Sequence, residues 1–193
     1  MKILVLAEIE DGQLRPASLA AIECGRQMAE QNKGSVSWLL IGSQLDTVAN
    51  QASHYAPVCT VDAEQLGTVA ADTWAPVIAR AVNQEEVDLL LAGSGTFAKD
   101  ILTRAAGLLG GTMASDVLSH EWVEGKLQFR RAMYAGAIVA TIELSGPIQI
   151  VTCQSTAYPA AEPLAATEAI RPLTIDLADL PLRVQVETVE SSR

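Results

Sequence analysis

Apolar residues run along this chain in two rhythms, and the change between them falls near Asp116. Before it, strand-length apolar runs at Lys2 to Ala7, Ser35 to Ile41, Pro57 to Val61 and Asp88 to Gly93 alternate with segments of helical spacing. Leu19, Ile22 and Met28 define the first helix, which Pro16 opens and which runs to Asn32; Gly34 is expected to take the left-handed position that ends it. Gly42-Ser43 opens a short helix carrying Val48 and His54. Val69, Trp74, Val77, Ile78, Ala81 and Val82 share one face of a third, with Asp72 or Thr73 as its cap and Pro76 tolerable only in its first turns. Phe97, Ile101, Leu102, Ala105, Leu108 and Leu109 share one face of a fourth. Four strands alternating with four helices predict right-handed crossovers and an α/β fold, a mostly parallel sheet between two helical layers.

After Asp116 the runs Val117 to Trp122, Leu127 to Met133, Ile138 to Leu144 and Ile148 to Cys153 are separated by turns instead of helices. They predict a four-strand antiparallel meander extending the sheet. Ala157 to Pro181 reads as a surface crossing, and Leu182, Val184, Val186 and Val189 as a final strand.

The stretch Asp88 to Asp116 carries the candidate chemistry. A buried strand stops at Gly93-Ser94-Gly95 and a helix follows, with Ser94 and Thr96 as candidate caps. Free amides and the helix dipole at such a turn favour an anion, so Ser94, Gly95 and Thr96 are the candidate cofactor-binding residues. The alternative is a purely structural turn, because GSGTFAK lacks the third glycine of a dinucleotide fingerprint and no GxxxxGK[ST] is present. The turn after the first strand, Glu8-Ile9-Glu10-Asp11-Gly12, would repel a phosphate.

Charge narrows the partners: 13 Lys and Arg against 23 Asp and Glu give −10, which disfavours nucleic acid and anionic lipid. No apolar run reaches the roughly 20 residues of a membrane helix. Cys24, Cys59 and Cys153 lie far apart without a CxxC pair, so neither a zinc site nor a disulfide framework is expected, and a reducing compartment follows. His54 and His120 neighbour no cysteine or second histidine, which leaves no metal pair and no base beside a nucleophile. Asp100 and Arg104, four apart, are placed to pair on a helix surface. Of Arg130-Arg131, adjacent in a strand, one must turn toward the core side or a partner. Trp38, Trp74 and Trp122 are core candidates.

Three separated segments carry a family resemblance: MKILVLAE with a helix from RPASL, then GSGTFAKDILTRAAGLLGGTMASDV, then FRRAMYAGAIVATIE. In order and spacing, from Met1 to about Tyr158, they resemble the N-terminal domain of the electron transfer flavoprotein alpha subunit. Thr96, Phe97 and Lys99 match a Thr-Phe-Gly-Lys turn with Ala98 for glycine; Thr103 precedes Arg104 where the family has proline; Ser115 and Asp116 are intact. Tyr134, Ala135 and Gly136 run directly into Ala137, one residue short of the family's strand bend, which should tighten it.

The resemblance implies an adenine nucleotide alpha hydrolase-like, three-layer fold over residues 1–158, with residues 159–193 leading toward a separate FAD domain. It implies a scaffold without catalytic residues, not an enzyme. Such a scaffold pairs with a beta subunit in a complex that takes electrons from acyl-CoA or other dehydrogenases onto FAD and passes them to a quinone-linked oxidoreductase. Nothing here resembles the family's flavin-holding segments, so no cofactor is expected on this chain alone, whose last residue, Arg193, falls about where the family enters that second domain. A truncation, a proteolytic fragment and a split subunit stay open. The compartment implied is the cytoplasm, or the mitochondrial matrix after loss of a transit peptide. The alternative function is a free-standing nucleotide-binding module of universal-stress type, using Ser94, Gly95 and Thr96 on phosphate.

Overall fold

The structure, a computed structural model, describes residues 1–181 with Arg183 and Val184. The expected alternation is present: β1 (Lys2–Leu6), α1 (Pro16–Gln31), β4 (Ser35–Gly42), α2 (Asp46–Ser53), β5 (Val58–Asp62), α3 (Ala71–Gln84), β6 (Leu89–Gly93) and α4 (Thr96–Leu109). The acidic first turn adds a two-residue hairpin, β2 (Ile9–Glu10) and β3 (Gln13–Leu14), which the sequence pattern had not announced. Then follow β7 (Thr112–Val123), β8 (Lys126–Met133), β9 (Ile138–Glu143), β10 (Gln149–Cys153) and β11 (Ile170–Pro172).

One nine-stranded sheet, in the order β11-β5-β4-β1-β6-β10-β7-β8-β9, holds the fold together. Its strands are parallel from β11 through β7, and β8 and β9 continue it antiparallel. Because side chains alternate across a strand, the sheet feeds two cores. Ile3, Val5, Trp38 and Leu91 pack under α1 and α2, while Leu4, Leu6, Leu39 and Leu90 pack under α3 and α4. The three-layer α/β reading therefore holds.

The meander is shorter than the turn pattern predicts. Only β7, β8 and β9 run antiparallel; β10 returns to the parallel sheet and sits between β6 and β7. Its Ile150, Val151 and Cys153 are fully buried. A strand covered on both faces belongs inside a parallel sheet, whereas β9, with one wet face, belongs at an edge. The crossing after β10 also contributes structure, because residues 170–172 add β11 beside β5. The final strand expected at Leu182, Val184, Val186 and Val189 lies, except for Val184, outside the described residues.

Several local expectations shift for physical reasons. Lys33, not Gly34, takes the left-handed conformation after α1, with φ 49°. Gly34 is required by space instead, since a Cβ there would collide with the Met1 carbonyl. Asp72 and Thr73 sit inside the first turn of α3 behind the capping position Ala70. They accept from the Arg183 amide at 3.2 Å and donate to the Pro181 carbonyl at 3.3 Å, respectively. Likewise Gly95 stands at the capping position of α4, whose end is closed by left-handed Gly110, φ 60°. Trp38 and Trp74 are core residues, but Trp122 only packs against the core from a half-exposed position. Among the described residues Asp100 and Arg104 form no ion pair; Lys99 is the α4 cation that finds a carboxylate.

Candidate functional site

Ligands of open α/β sheets bind beyond the carboxyl ends of the strands, where successive connections leave on opposite faces. That point lies here between β1, which feeds α1, and β6, which feeds α4 on the other face. The structure brings the Glu8 turn and the Ser94-Gly95-Thr96 turn together there. Gly93 is needed for the approach, since a Cβ on it would lie 2.5 Å from the Ala17 carbonyl of α1.

Two of the three candidate residues already have partners. The Ser94 amide donates to the Cys153 carbonyl at 2.8 Å, and its hydroxyl donates to Asp116 Oδ1 while accepting from Thr152 Oγ1 at 3.3 Å. Thr152 Oγ1 in turn accepts from the Asp116 amide at 3.1 Å. Gly95 is extended, and its carbonyl accepts from the Lys99 amide at 3.0 Å. Thr96 is the exposed first residue of α4. Lys99 Nζ, one turn on, lies 2.8 Å from Asp116 Oδ2.

Asp116 thus takes the hydroxyl and the ammonium that a bound phosphate would need. It holds this place in a left-handed conformation, φ 58°, unusual for a residue with a side chain, at an irregularity where β7 shifts register against β10. Burial pushes its carboxyl up, but hydrogen bonds from Lys99 and Ser94 and the charges of Lys99 and Arg131 outweigh that and hold it below the usual aspartate range. Arg131 is the inward member of its pair: Arg130 is exposed, whereas Arg131 is half-buried with its Nε unpartnered.

A second carboxylate closes the turn from the other side. A Cβ added at Gly95 would lie 3.9 Å from Glu8 Oε2. Burial pushes the Glu8 carboxyl up, Arg15 counteracts, and Glu10 adds to the rise. Two acidic side chains therefore flank the helix N-terminus, and the arrangement does not fit the diphosphate of a dinucleotide such as FAD. The acidic Glu8 turn and the intact Ser115-Asp116 pair were legible in the sequence; that Asp116 and Thr152 meet Ser94 was not, because they are remote from it in the chain.

His54 is exposed at the end of α2. His120 is half-buried, its Nδ1 3.1 Å from the Tyr158 hydroxyl and its ring stacked on that of Tyr158. Burial lowers its pKa, and Nε2 has no partner. No group of three or more metal-binding side chains occurs among the described residues. No described helix is long and apolar enough to cross a membrane.

An apolar surface is the other feature the sequence pattern did not reveal. Four of the nine exposed large apolar residues among the described ones, Met133, Tyr134, Ile138 and Val139, lie on the β8–β9 hairpin. Tyr134, 76% exposed, and Ala135 and Gly136 are all left-handed, so the bend is tight, as the missing residue there had suggested. Ile138 and Val139 open β9, the edge strand of the sheet, and as neighbours in a strand they present apolar surface on both of its faces.

Residues 3–177 match the family model described as electron transfer flavoprotein domain. The chain is 28% identical over 187 residues to the electron transfer flavoprotein subunit alpha of Bacillus subtilis, covering 95% of this chain and 57% of that protein. It is 30% identical over 197 residues to the mitochondrial subunit alpha of Arabidopsis thaliana, with 98% and 52% covered. A probable mitochondrial subunit alpha of Caenorhabditis elegans is 29% identical over 162 residues, with 82% and 47% covered. The chain spans about half the length of these relatives.

Proposed function

The chain belongs to the electron transfer flavoprotein family, matching its alpha subunits, and from that premise we propose that it is the scaffold half of such a subunit. In this reading it contributes no catalytic residue and holds no flavin by itself. Joined to a flavin domain and a beta subunit, it supports transfer of electrons from acyl-CoA or other dehydrogenases through FAD to a quinone-linked oxidoreductase. Its compartment would be the bacterial cytoplasm or the mitochondrial matrix, the latter in line with the names of the plant and animal relatives.

The observation that carries the reading is the uncovered apolar hairpin at Met133, Tyr134, Ile138 and Val139. Exposed apolar side chains gathered at one edge hairpin favour a covering partner, and burying them would supply a hydrophobic contribution to an interface. The site at Ser94, Gly95 and Thr96 fits the same picture, since the Ser94 hydroxyl and the neighbouring Lys99 ammonium already serve Asp116. The universal-stress alternative is not favoured.

The test is co-expression with the cognate beta subunit. Wild-type chain should co-purify with it, while Ile138→Lys with Met133→Lys should abolish co-purification and leave the chain folded by circular dichroism. Purified alone, the chain should be colourless after desalting. A retained flavin spectrum, or micromolar binding of ATP or AMP in calorimetry, would overturn the scaffold reading.

A further inference from the structure

Without β11 beside it, the parallel strand β5 would be an edge that this fold has to manage. Val58, Cys59, Thr60 and Val61 are all buried, a short apolar run of high β-propensity. An uncovered edge of that composition is a template for pairing with another chain. Among the described residues the only strand that covers it is β11, three exposed residues within the crossing that follows β10.

The register shows how the cover works. Val58 N–H donates to the Ala169 carbonyl and Leu173 N–H donates to the Thr60 carbonyl, both at 2.8 Å. The backbone groups of 169, 171 and 173 therefore face β5, and by alternation those of Ile170 and Pro172 face outward. Pro172 stands where an outward N–H would otherwise invite a further strand, and proline has none. So β11 completes the ladder of β5 and presents a blunted edge in its place.

A three-residue strand needs an anchor. Arg171, paired in register with Cys59, sends Nη2 to within 2.6 Å of Glu85 Oε2 at the end of α3, and Lys2 Nζ of β1 reaches the same oxygen at 3.1 Å. The Glu85 side chain is only 8% exposed, so its charge is shielded from water and these partners satisfy it. One carboxylate thus ties the edge strand, a central strand and a helix end together. Leu173, just beyond, packs into the core under α3.

We propose that β11 is an edge guard latched by the Glu85–Arg171 ion pair, and that it keeps β5 from pairing with a strand of a second copy of this chain. Release of the latch exposes β5; the proline keeps the closed form from propagating the sheet.

Hydrogen exchange with mass spectrometry on the full chain tests the latch. Arg171→Gln and Glu85→Gln should each raise exchange in peptides covering 58–62 and 168–173 by about tenfold, the scale of a charge-assisted hydrogen bond, and leave β6 and α4 unchanged. Arg171→Lys should restore most of the protection. Static light scattering at increasing concentration should then detect self-association in Arg171→Gln earlier than in wild type. Pro172→Ala should self-associate without any loss of exchange protection, which separates the blunted edge from the latch. Unchanged exchange in both latch variants overturns the latch, and a Pro172→Ala and Arg171→Gln pair that both stay monomeric overturns the guard.

Discussion

Lys99 Nζ and the Asp116 carboxylate meet at 2.8 Å across the mouth of the sheet, joining the start of α4 to a left-handed residue in β7. The contact engages, from within the chain, the ammonium nearest the turn that opens α4. Both side chains are more than a third exposed, so water screens the charge pair and geometry carries much of its value. Asp116→Asn keeps the tolerance for positive φ and should cost about 0.5–1 kcal/mol in urea denaturation. Asp116→Val should cost roughly 1–3 kcal/mol more, because a β-branched residue is strained there.

The same carboxylate sets an acid limit. Its folded pKa lies below the unfolded value, so its contribution is complete above about pH 4 and is lost as pH falls through the folded pKa. Melting temperatures recorded from pH 6 to pH 3 should show a smaller decline for Asp116→Asn than for wild type below pH 4.

Glu8 has the opposite sign. Its folded pKa is raised, so the folded state binds the proton more tightly and stability falls as pH rises from about 4.5 through the folded pKa. Glu8→Gln should raise the melting temperature at pH 7 and give no gain at pH 4. Equal effects at both values would mean that the change acts through packing.

His120 adds a third window. A histidine whose pKa is lowered by burial contributes stability above the unfolded value of about 6.5, and this is lost as pH falls through the folded pKa. Wild type should therefore melt lower at pH 5.5 than at pH 7.5, and His120→Gln should flatten the difference. Tyr158→Phe, which leaves Nδ1 without its hydroxyl partner, should cost about 1 kcal/mol at pH 7.5.

Gly93 tests the packing of α1 against β6. Gly93→Ala places a methyl 2.5 Å from the backbone oxygen of Ala17, which no rotamer change relieves. A loss of about 2–3 kcal/mol in urea denaturation is expected, against a gain of about 0.5–1 kcal/mol for Gly107→Ala, which lies within α4 and meets nothing within 4 Å.

The sequence by itself determined the alternation of β1 through α4, because strand-length runs and helical spacing are local properties that burial later reinforces. It also carried the family, through three motifs at consistent spacing, and marked Ser94, Gly95 and Thr96 as a turn before a helix. Only the tertiary structure decided what that turn contacts, since its hydroxyl and the nearby ammonium meet a carboxylate more than fifteen residues away in β7. The place of β10 was likewise undecided: its apolar run suits an edge or an interior strand, and burial on both faces selects the interior beside β6. β11 was invisible for a related reason. Three exposed residues carry no hydrophobic rhythm, and their strand exists because β5 offers a ladder and Glu85 offers a counter-charge, both supplied by parts of the chain more than eighty residues away.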